Sequence, residues 1–152
     1  MADDHPRSTA RIAGHPIHPM IVPIPITCYV GTLVTDLCYW KTGDILWGDF
    51  SDWLITVAVI FTVLAAIAGA VDFLSERRIR ELRPAWIHAI GNVVVLVLGI
   101  FNAFLHTRDA YGQESTGLIL SVLTVLVLLV TGWNGWDMVY RHGVALKMER
   151  RP

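Results

Sequence analysis

Two histidines lie three positions apart in HPIHP, residues 15–19, where a polar N-terminal segment meets an apolar run. Imidazole binds metals and exchanges protons near neutral pH. Each histidine precedes a proline, which biases it toward extended backbone, so His15 and His18 are expected to lie outside a regular helix. Pro19 suits a helical first turn, and the further prolines of the run predict a kinked, rigid segment. The pattern indicates two rigidly held imidazoles that point back toward the rest of the protein.

Charged side chains nearly vanish from four stretches of the chain. The sequence is 54% hydrophobic and 16% charged, whereas soluble domains carry about a quarter charged residues. The stretches span about 17–40, 53–74, 84–106 and 117–140. Each is long enough to cross a hydrocarbon core of about 30 Å. We therefore predict an all-α fold, a membrane bundle of four transmembrane helices with short loops, in preference to a soluble bundle of apolar helices.

The chain forms one domain by this interpretation. The membrane domain covers 15–142, between an N-terminal tail, 1–14, and a C-terminal tail, 143–152. KTGD and the WGDFSD that follows it shortly after are predicted to form the first loop, and no repeat of 20–50 residues is visible. Cys28 and Cys38 have no metal-site or disulfide spacing and are interpreted as small packing residues.

Positive charge is concentrated on one side of the predicted bundle. An even number of spans places both tails and the loop between the second and third spans together, with ten of the twelve Lys and Arg residues. Cytoplasmic loops of membrane proteins carry such an excess. The N-terminal segment also lacks the pattern of a cleaved signal peptide. We expect a multi-pass membrane protein with both termini in the cytoplasm.

Alternation of the spans brings ionisable side chains from all four helices to this cytoplasmic end. Such groups are costly in a membrane and are functional candidates by default. The ligand candidates are His15, His18, His88 and His142, and two carboxylates, Asp72 and Asp137, lie at the same level. The topology therefore predicts a histidine and carboxylate cluster that could bind a haem or a metal ion.

The third span carries a polar stripe that continues to the other end of the bundle. Its members, His88, Asn92, Gly99, Asn102 and His106, share one helical face. Lipid cannot satisfy such a face, so it must point inward. His88 and His106 are about 27 Å apart at about 1.5 Å per residue and cannot serve one site. His106 is expected to meet Asp36 of the first span as an outer-end polar pair, which is weaker evidence for a site.

Simpler interpretations exist for each candidate. The histidines can act as caps in the headgroup region. Asp137 can pair with Arg141 four positions later, and Asp72 can pair with one of the arginines of its loop. A carboxylate or amide beside a ligand imidazole can also orient it. Asp72, Asn92 and Asp137 are therefore candidates for orienting the ligands or for adding to them.

Several motifs together resemble a bacterial family of small predicted membrane proteins, domain of unknown function 2231. They are HPIHPMIVPIPI, VTDL, GAVDFL, HAIGN and the closing MVYRHGV, and they cover almost the whole chain. Trp136 and Asp137 stand where the family more usually has glycine and glutamate. The resemblance implies four spans in a bacterial cytoplasmic membrane. Fusion of some relatives to Rieske-type iron–sulfur domains implies redox work and a Rieske-type protein as partner.

Haem b is the first cofactor that the cluster predicts. His88 with His18 or His142 would supply axial ligands on separate helices. Small residues would admit the porphyrin, and cations would meet its propionates. These are Gly69, Gly91 and Gly135, with Arg77, Arg78 and Arg141. A stacked two-haem cytochrome is disfavoured because the outer level offers only His106.

A non-haem centre and a site without a cofactor are the alternatives. Mixed imidazole and carboxylate ligands suit Fe, Zn, Mn or Cu, in an oxidase, reductase or hydrolase. Without a cofactor, the protein would be a non-catalytic membrane subunit or a small transporter that handles protons or ions, and a solute path would need a homo-oligomer. No nucleotide-binding or nucleophile motif and no nucleic-acid signature is present. A protein that binds haem or a metal ion is therefore preferred to a subunit or transporter without a cofactor. Whether the protein is an enzyme stays open.

Overall fold

The computed structural model of the protein describes Pro6 and residues 8–108 and 115–145. Its elements are β1 (Arg11–Ile12), β2 (His15–Pro16), α1 (Ile17–Ile21), α2 (Pro23–Thr42), α3 (Ile45–Ser75), α4 (Arg77–Arg80), α5 (Arg83–Arg108) and α6 (Thr116–Tyr140). Apart from one two-stranded hairpin, the described elements are helices. The all-α prediction is confirmed.

Four spans long and apolar enough to cross a membrane are found in the described chain, namely Ile17–Thr42, Ile45–Ser75, Arg83–Arg108 and Thr116–Tyr140. Large apolar side chains on all of them are exposed, as expected where lipid replaces water. We call the end where α2 and α5 begin the proximal end and the end where they finish the distal end. Four membrane-spanning helices in one bundle are thus confirmed.

The first connection is shorter than predicted. Gly43 ends α2 with a left-handed φ of 66°, and its N–H donates to the Tyr39 carbonyl. The Asp44 carboxylate then caps α3 by accepting from the Leu46 amide at 3.0 Å. WGDFSD is therefore helical, and the prediction that it forms a loop is wrong. Its small residues Gly48 and Ser51 are buried against the bundle.

The HPIHP motif divides between two elements. An antiparallel hairpin pairs Ile12 with His15 and turns through Ala13 and Gly14, both at positive φ. His18 is the second residue of α1, so the expectation that it lies outside a helix is wrong. Pro19 causes no loss there, because amides of a first turn have no helical acceptor. Val22 separates α1 from α2 with helical φ and ψ of −50° and −36°, and its amide bonds to the His18 carbonyl at 3.1 Å, so the kink stays a prediction.

The bundle consists of two similar helical hairpins, α2–α3 and α5–α6. Buried positions of α2 recur 70 residues later in α5, as Pro25/Val95, Tyr29/Gly99, Thr32/Asn102 and Asp36/His106. Buried positions of α3 recur 66 residues later in α6, as Ser51/Gly117, Ile55/Ser121, Ala58/Thr124 and Ala65/Thr131. The helices of each pair run in the same direction. Such a repeat indicates an approximate two-fold axis along the bundle.

A dry middle section separates the two ends of the bundle. Its core is the cluster Tyr29, Ile55, Ala58 and Val95, each at most 3% exposed. Cys28 packs against this cluster. The Tyr29 hydroxyl lies where a side chain at Gly99 would have to be, so that glycine leaves room for the tyrosine side chain. The histidine and carboxylate side chains that could take part in chemistry therefore lie towards the two ends of the bundle.

Candidate functional site

His18 and His88 form a pair at the proximal end. Their ring centroids are 5.9 Å apart, and the ring planes are nearly perpendicular, at 82°. The two positions are equivalent in the repeat, since His88 follows His18 by 70 residues, the offset of the α2/α5 pairs. The structure thus brings together two of the four predicted histidine ligands.

Each of these rings is fixed in the same way by the second helix of its own hairpin. His18 Nδ1 bonds to the Ala65 carbonyl at 2.8 Å, and His88 Nδ1 bonds to the Thr131 carbonyl at 2.8 Å. Four residues after each carbonyl is a glycine against the ring. A Cβ at Gly69 would lie 3.0 Å from His18 Nδ1, and a Cβ at Gly135 would lie 3.0 Å from His88 Cε1. A methyl group at either glycine would require the ring to move by a few tenths of an ångström.

This arrangement determines the tautomer of both rings. A carbonyl oxygen can only accept, so Nδ1 of each ring carries the hydrogen. In the neutral ring the lone pair is then on Nε2, which is a metal ligand. A backbone carbonyl on the other nitrogen is a usual partner of a metal-binding histidine. Two fixed Nε2 lone pairs are thus available at the proximal end.

The other two predicted ligands lie apart from this pair. His15 is exposed on the β1–β2 hairpin, and its Nδ1 bonds to the Ala13 carbonyl. His142 follows the end of α6, with Nε2 3.5 Å from Asp137. Asp137 also pairs with Arg141 at 3.2 Å. The simpler ion-pair interpretation therefore describes this carboxylate.

Asp72 binds the N-terminal segment. Its carboxylate accepts from the Ser8 hydroxyl at 2.8 Å and from the amides of Thr9 and Ala10 at 2.6 and 2.7 Å. The sequence predicts an arginine or a ligand imidazole as the partner of this carboxylate and gives no sign of these bonds. Donors 62 to 64 positions away in the sequence give no local signal of such a contact.

The remaining proximal candidates have local partners. Asn92 Nδ2 donates to the carbonyl of His88 at 2.8 Å, one turn earlier on α5. Arg77 pairs with Glu81 at 3.1 Å on the surface. The Arg78 amide bonds to the Glu76 side chain. Asn92 therefore touches the backbone of a paired histidine but not its ring nitrogens.

Room for a porphyrin is not provided by the predicted glycines. Gly69 and Gly135 are filled by the two imidazoles, and a side chain at Gly91 would overlap Thr131. Among the described residues, no group of three or more His, Cys, Asp and Glu side chains could hold a metal ion. A surface groove on α6 is lined by Gly132, Trp133 and Trp136 and contains none of the candidate ligands. The proximal pair is thus a two-imidazole site.

A larger polar cluster occupies the distal end. His106 Nε2 is 2.9 Å from Asp36 Oδ1, as the topology predicts. The same carboxylate accepts from Ser51 and from Ser121, each at 2.6 Å. Asn102 Nδ2 donates to Ser121 at 2.8 Å. We call these five residues, which come from all four long helices, the distal cluster.

The distal cluster is the most buried polar part of the described protein. Its members are between 0% and 5% exposed. Both nitrogens of His106 face acceptors, because Nδ1 lies 2.9 Å from the Asn102 carbonyl. Two acceptors fit a doubly protonated ring, which would pair an imidazolium with the Asp36 carboxylate. The sequence analysis ranked this end as weaker evidence and missed Ser51 and Ser121.

Fold and sites together define a class, the polytopic membrane proteins built as a four-helix bundle, here with buried polar groups at both ends. The chain belongs to the family described as predicted membrane protein (DUF2231), whose model matches residues 14–148. The family resemblance read from the sequence motifs is confirmed. No significant match was found among curated proteins or among solved structures.

Proposed function

We propose that this protein is a membrane redox protein whose His18 and His88 bind one transition metal, either the iron of haem b or a bare ion. The observation that carries the proposal is the pair of imidazoles that meet from separate halves of the bundle. Their common chemistry is a metal that accepts two imidazole nitrogens. Such a metal would take one electron from a donor and pass it to an acceptor.

The separation of the rings supports one metal between them. Two imidazoles on one ion, with metal–nitrogen distances of about 2.0–2.1 Å, have ring centroids roughly 4.5–6.5 Å apart as the angle at the metal opens from about 90° to about 180°. The observed separation is 5.9 Å. Because each Nδ1 is already bonded to a carbonyl, little side-chain entropy would be lost on binding.

The ligand set, two imidazoles without a carboxylate, also affects which metal would bind. Asp72 and Asp137 bind the N-terminal segment and Arg141, so a mixed imidazole and carboxylate set is less supported. Two imidazoles suit copper, or a haem iron with two axial histidines. The glycines at the rings are filled, which favours a bare ion over a porphyrin at this position.

We place the proximal end in the cytoplasm of a bacterial cell, with the protein in the inner membrane. The support is the ten of twelve Lys and Arg residues in segments at that end. A Rieske-type iron–sulfur protein is the electron partner that the family resemblance suggests. A reporter enzyme that is active only outside the cytoplasm, fused to the C-terminus, is expected to be inactive.

The test is metal content and absorption of the full-length protein, purified in mild detergent from cells supplied with iron, copper and haem. We expect about one metal per chain in the wild type and loss of it in His18→Ala and in His88→Ala. A Soret band with reduced α and β bands identifies haem b, whereas metal without a Soret band identifies a bare ion.

Two matched histidine variants serve as controls. His142→Ala and His106→Ala are expected to keep the wild-type metal content, because neither ring belongs to the proximal pair. Equal metal content in the wild type and in His88→Ala would refute the proposal. Absence of both haem and stoichiometric metal from the wild type would also refute it and would favour a structural or proton-handling subunit.

A further inference from the structure

We infer that the distal cluster is a proton-exchange site, in which a proton moves between His106 Nδ1 and water at the distal face through a water molecule held at Asn102 Oδ1. This inference concerns the opposite end of the bundle and does not depend on metal binding. The ligand assigned to the cluster is water, and the chemical step is the reversible protonation of His106.

An unpartnered acceptor is the first observation. Asn102 is 1% exposed, and its Oδ1 has no hydrogen-bond partner among the described residues. Its Nδ2 donates to Ser121, whose hydroxyl in turn donates to Asp36, so reversing the amide would break a consistent chain of donors. Buried polar groups without a protein partner are ordinarily satisfied by an internal water.

The position of Gly117 is the second observation. Gly117 is the second residue of α6, and His106 is in the last turn of α5. The cluster as a whole lies within about two turns of the distal helix ends. A Cβ at Gly117 would lie 3.0 Å from His106 Cε1 and 3.6 Å from Asn102 Oδ1. Among the described residues, Gly117 therefore lies against both atoms without a side chain of its own, close to the start of α6.

The charges around His106 allow it to change its protonation state. Asp36 on α2 faces Nε2, Asp52 on α3 acts on the ring electrostatically, and Ser51 and Ser121 donate to the Asp36 carboxylate. To leave, the Nδ1 proton gives up its bond to the Asn102 carbonyl, 2.9 Å away, and moves to the water at Asn102 Oδ1, which passes a proton to the distal solvent. The ring keeps the Nε2 hydrogen on Asp36, and the Asp36–His106 pair changes from neutral to a charge of −1.

The first experiment is hydrogen–deuterium exchange at the Cε1 atoms of histidine, measured by peptide mass spectrometry on the full-length protein in detergent. This slow exchange requires water or hydroxide at Cε1, the atom that faces Gly117. We expect His106 to exchange measurably despite its 2% exposure, and the exposed His15 serves as an internal reference. Gly117→Ala should slow the exchange of His106 several-fold.

Gly132→Ala is the matched control on the same helix, since a Cβ there meets nothing within 4 Å among the described residues. It should leave the exchange of His106 unchanged. Misfolding of Gly117→Ala would speed exchange, so slowing cannot come from loss of structure. Asn102→Leu, which keeps the size and removes the acceptor, should slow exchange as well and decides the matter if Gly117→Ala is unstable.

Nitrogen-15 chemical shifts of His106 give an independent readout. As the pH is raised, we expect loss of the Nδ1 proton while Nε2 remains protonated. Protons on both nitrogens at every pH at which the protein stays folded would overturn the inference. An unlabelled His106 after His15 has fully exchanged, or equal rates in the wild type and in both slowing variants, would overturn it too.

Discussion

Each proximal histidine owes its position to one carbonyl and one glycine. Ala65 and Gly69 serve His18, and Thr131 and Gly135 serve His88. The glycines matter because a methyl group in their place would lie only 3.0 Å from the ring and would fit only if the ring moved. The carbonyls matter because they hold the hydrogen on Nδ1. A change in either glycine should therefore alter the site without removing a ligand.

We predict that Gly69→Ala and Gly135→Ala each weaken metal binding about tenfold or more, since a displaced ring loses its carbonyl bond and its alignment. The measurement is a titration with a competing chelator, using the metal identified in the wild type. Gly132→Ala is again the control, because its Cβ points into open space within the described structure. Unchanged affinity in both variants would show that these glycines do not position the rings.

At the residue scale the sequence indicated some of the side-chain contacts, whereas the function of the site stays a prediction. His88 was placed by its polar stripe and His18 by its level in the topology, and the contact of Asp36 with His106 follows from the same argument. The exposed position of His15 could not be predicted, because it depends on a hairpin held through Asp72 more than 50 residues away. Short-range preferences of the prolines do not encode such a contact.

At the scale of elements, the N-terminal segment is tied to the bundle by the carboxylate of Asp72. Ser8, Thr9 and Ala10 bind this side chain, and the Ile17 amide bonds back to the Ala10 carbonyl at 2.9 Å. Charge-assisted bonds of this kind are stronger than neutral ones. They connect Asp72 on α3 with the start of the helix that carries His18.

We predict that Asp72→Ala releases this segment. The amides of Thr9 and Ala10 lose their acceptor, so their hydrogen exchange should become about tenfold faster or more, because a charged hydrogen bond contributes about 1.5–3 kcal/mol. Peptide mass spectrometry over residues 8–16 measures this, with Glu81→Ala as a control that removes a surface pair. If exchange of the segment is the same in both variants, Asp72 does not anchor it.

The helical elements were predicted more accurately than their ends. Long apolar stretches identify the spans reliably because a membrane requires about 20 apolar residues for each. The start of α3 was misplaced by about two turns, because the polar residues of WGDFSD resemble a loop. Gly48 and Ser51 face inward, which only the neighbouring helices can reveal. The cap at Asp44 was the available signal for a helix at Ile45.

At the scale of the whole molecule, the two halves place different residues at equivalent positions. Asp36 and His106 are related by the repeat and form the ion pair of the distal cluster. His18 and His88 are related in the same way but are identical. The proximal pair has thus kept the symmetry of the repeat, and the distal pair has lost it.

The repeat makes the distal pair exchangeable. Asp36→His alone and His106→Asp alone should each destabilise the protein by about 3–5 kcal/mol. The first change buries two histidines against each other and the second buries two carboxylates, so in each case a buried charge loses its partner. The double exchange restores an acid opposite a histidine and should recover part of this loss, with a coupling of about 1–3 kcal/mol. Ser51 and Ser121 donate to position 36, so recovery should be incomplete.

Unfolding of the single and double variants in detergent, by heat or denaturant, measures this coupling. A double swap of Ala58 and Thr124, another buried pair of the repeat that lies outside the distal cluster, provides a control in which no ion pair is inverted and coupling should be small. Losses that simply add in the Asp36 and His106 double variant would mean that the two positions are not equivalent.

The repeat itself was missed in the sequence because its period is longer than 50 residues and few residue types are kept. Burial at 70- and 66-residue offsets is preserved, but the residues there differ, as in Thr32/Asn102 and Ala58/Thr124. The identical pairs His18/His88 and Gly69/Gly135 were the available signal. They are easily overlooked because packing, not residue type, is what the two halves share.

The dry section around Tyr29, Ile55, Ala58 and Val95 has an electrical consequence. A charge that crosses a membrane potential of 100 mV changes its free energy by about 2.3 kcal/mol, so a continuous wet path would discharge an energised membrane. The apolar section acts as an insulator between the two ends. With proton exchange confined to the distal cluster, as inferred above, protons would return to the side from which they came, and the membrane would keep its voltage.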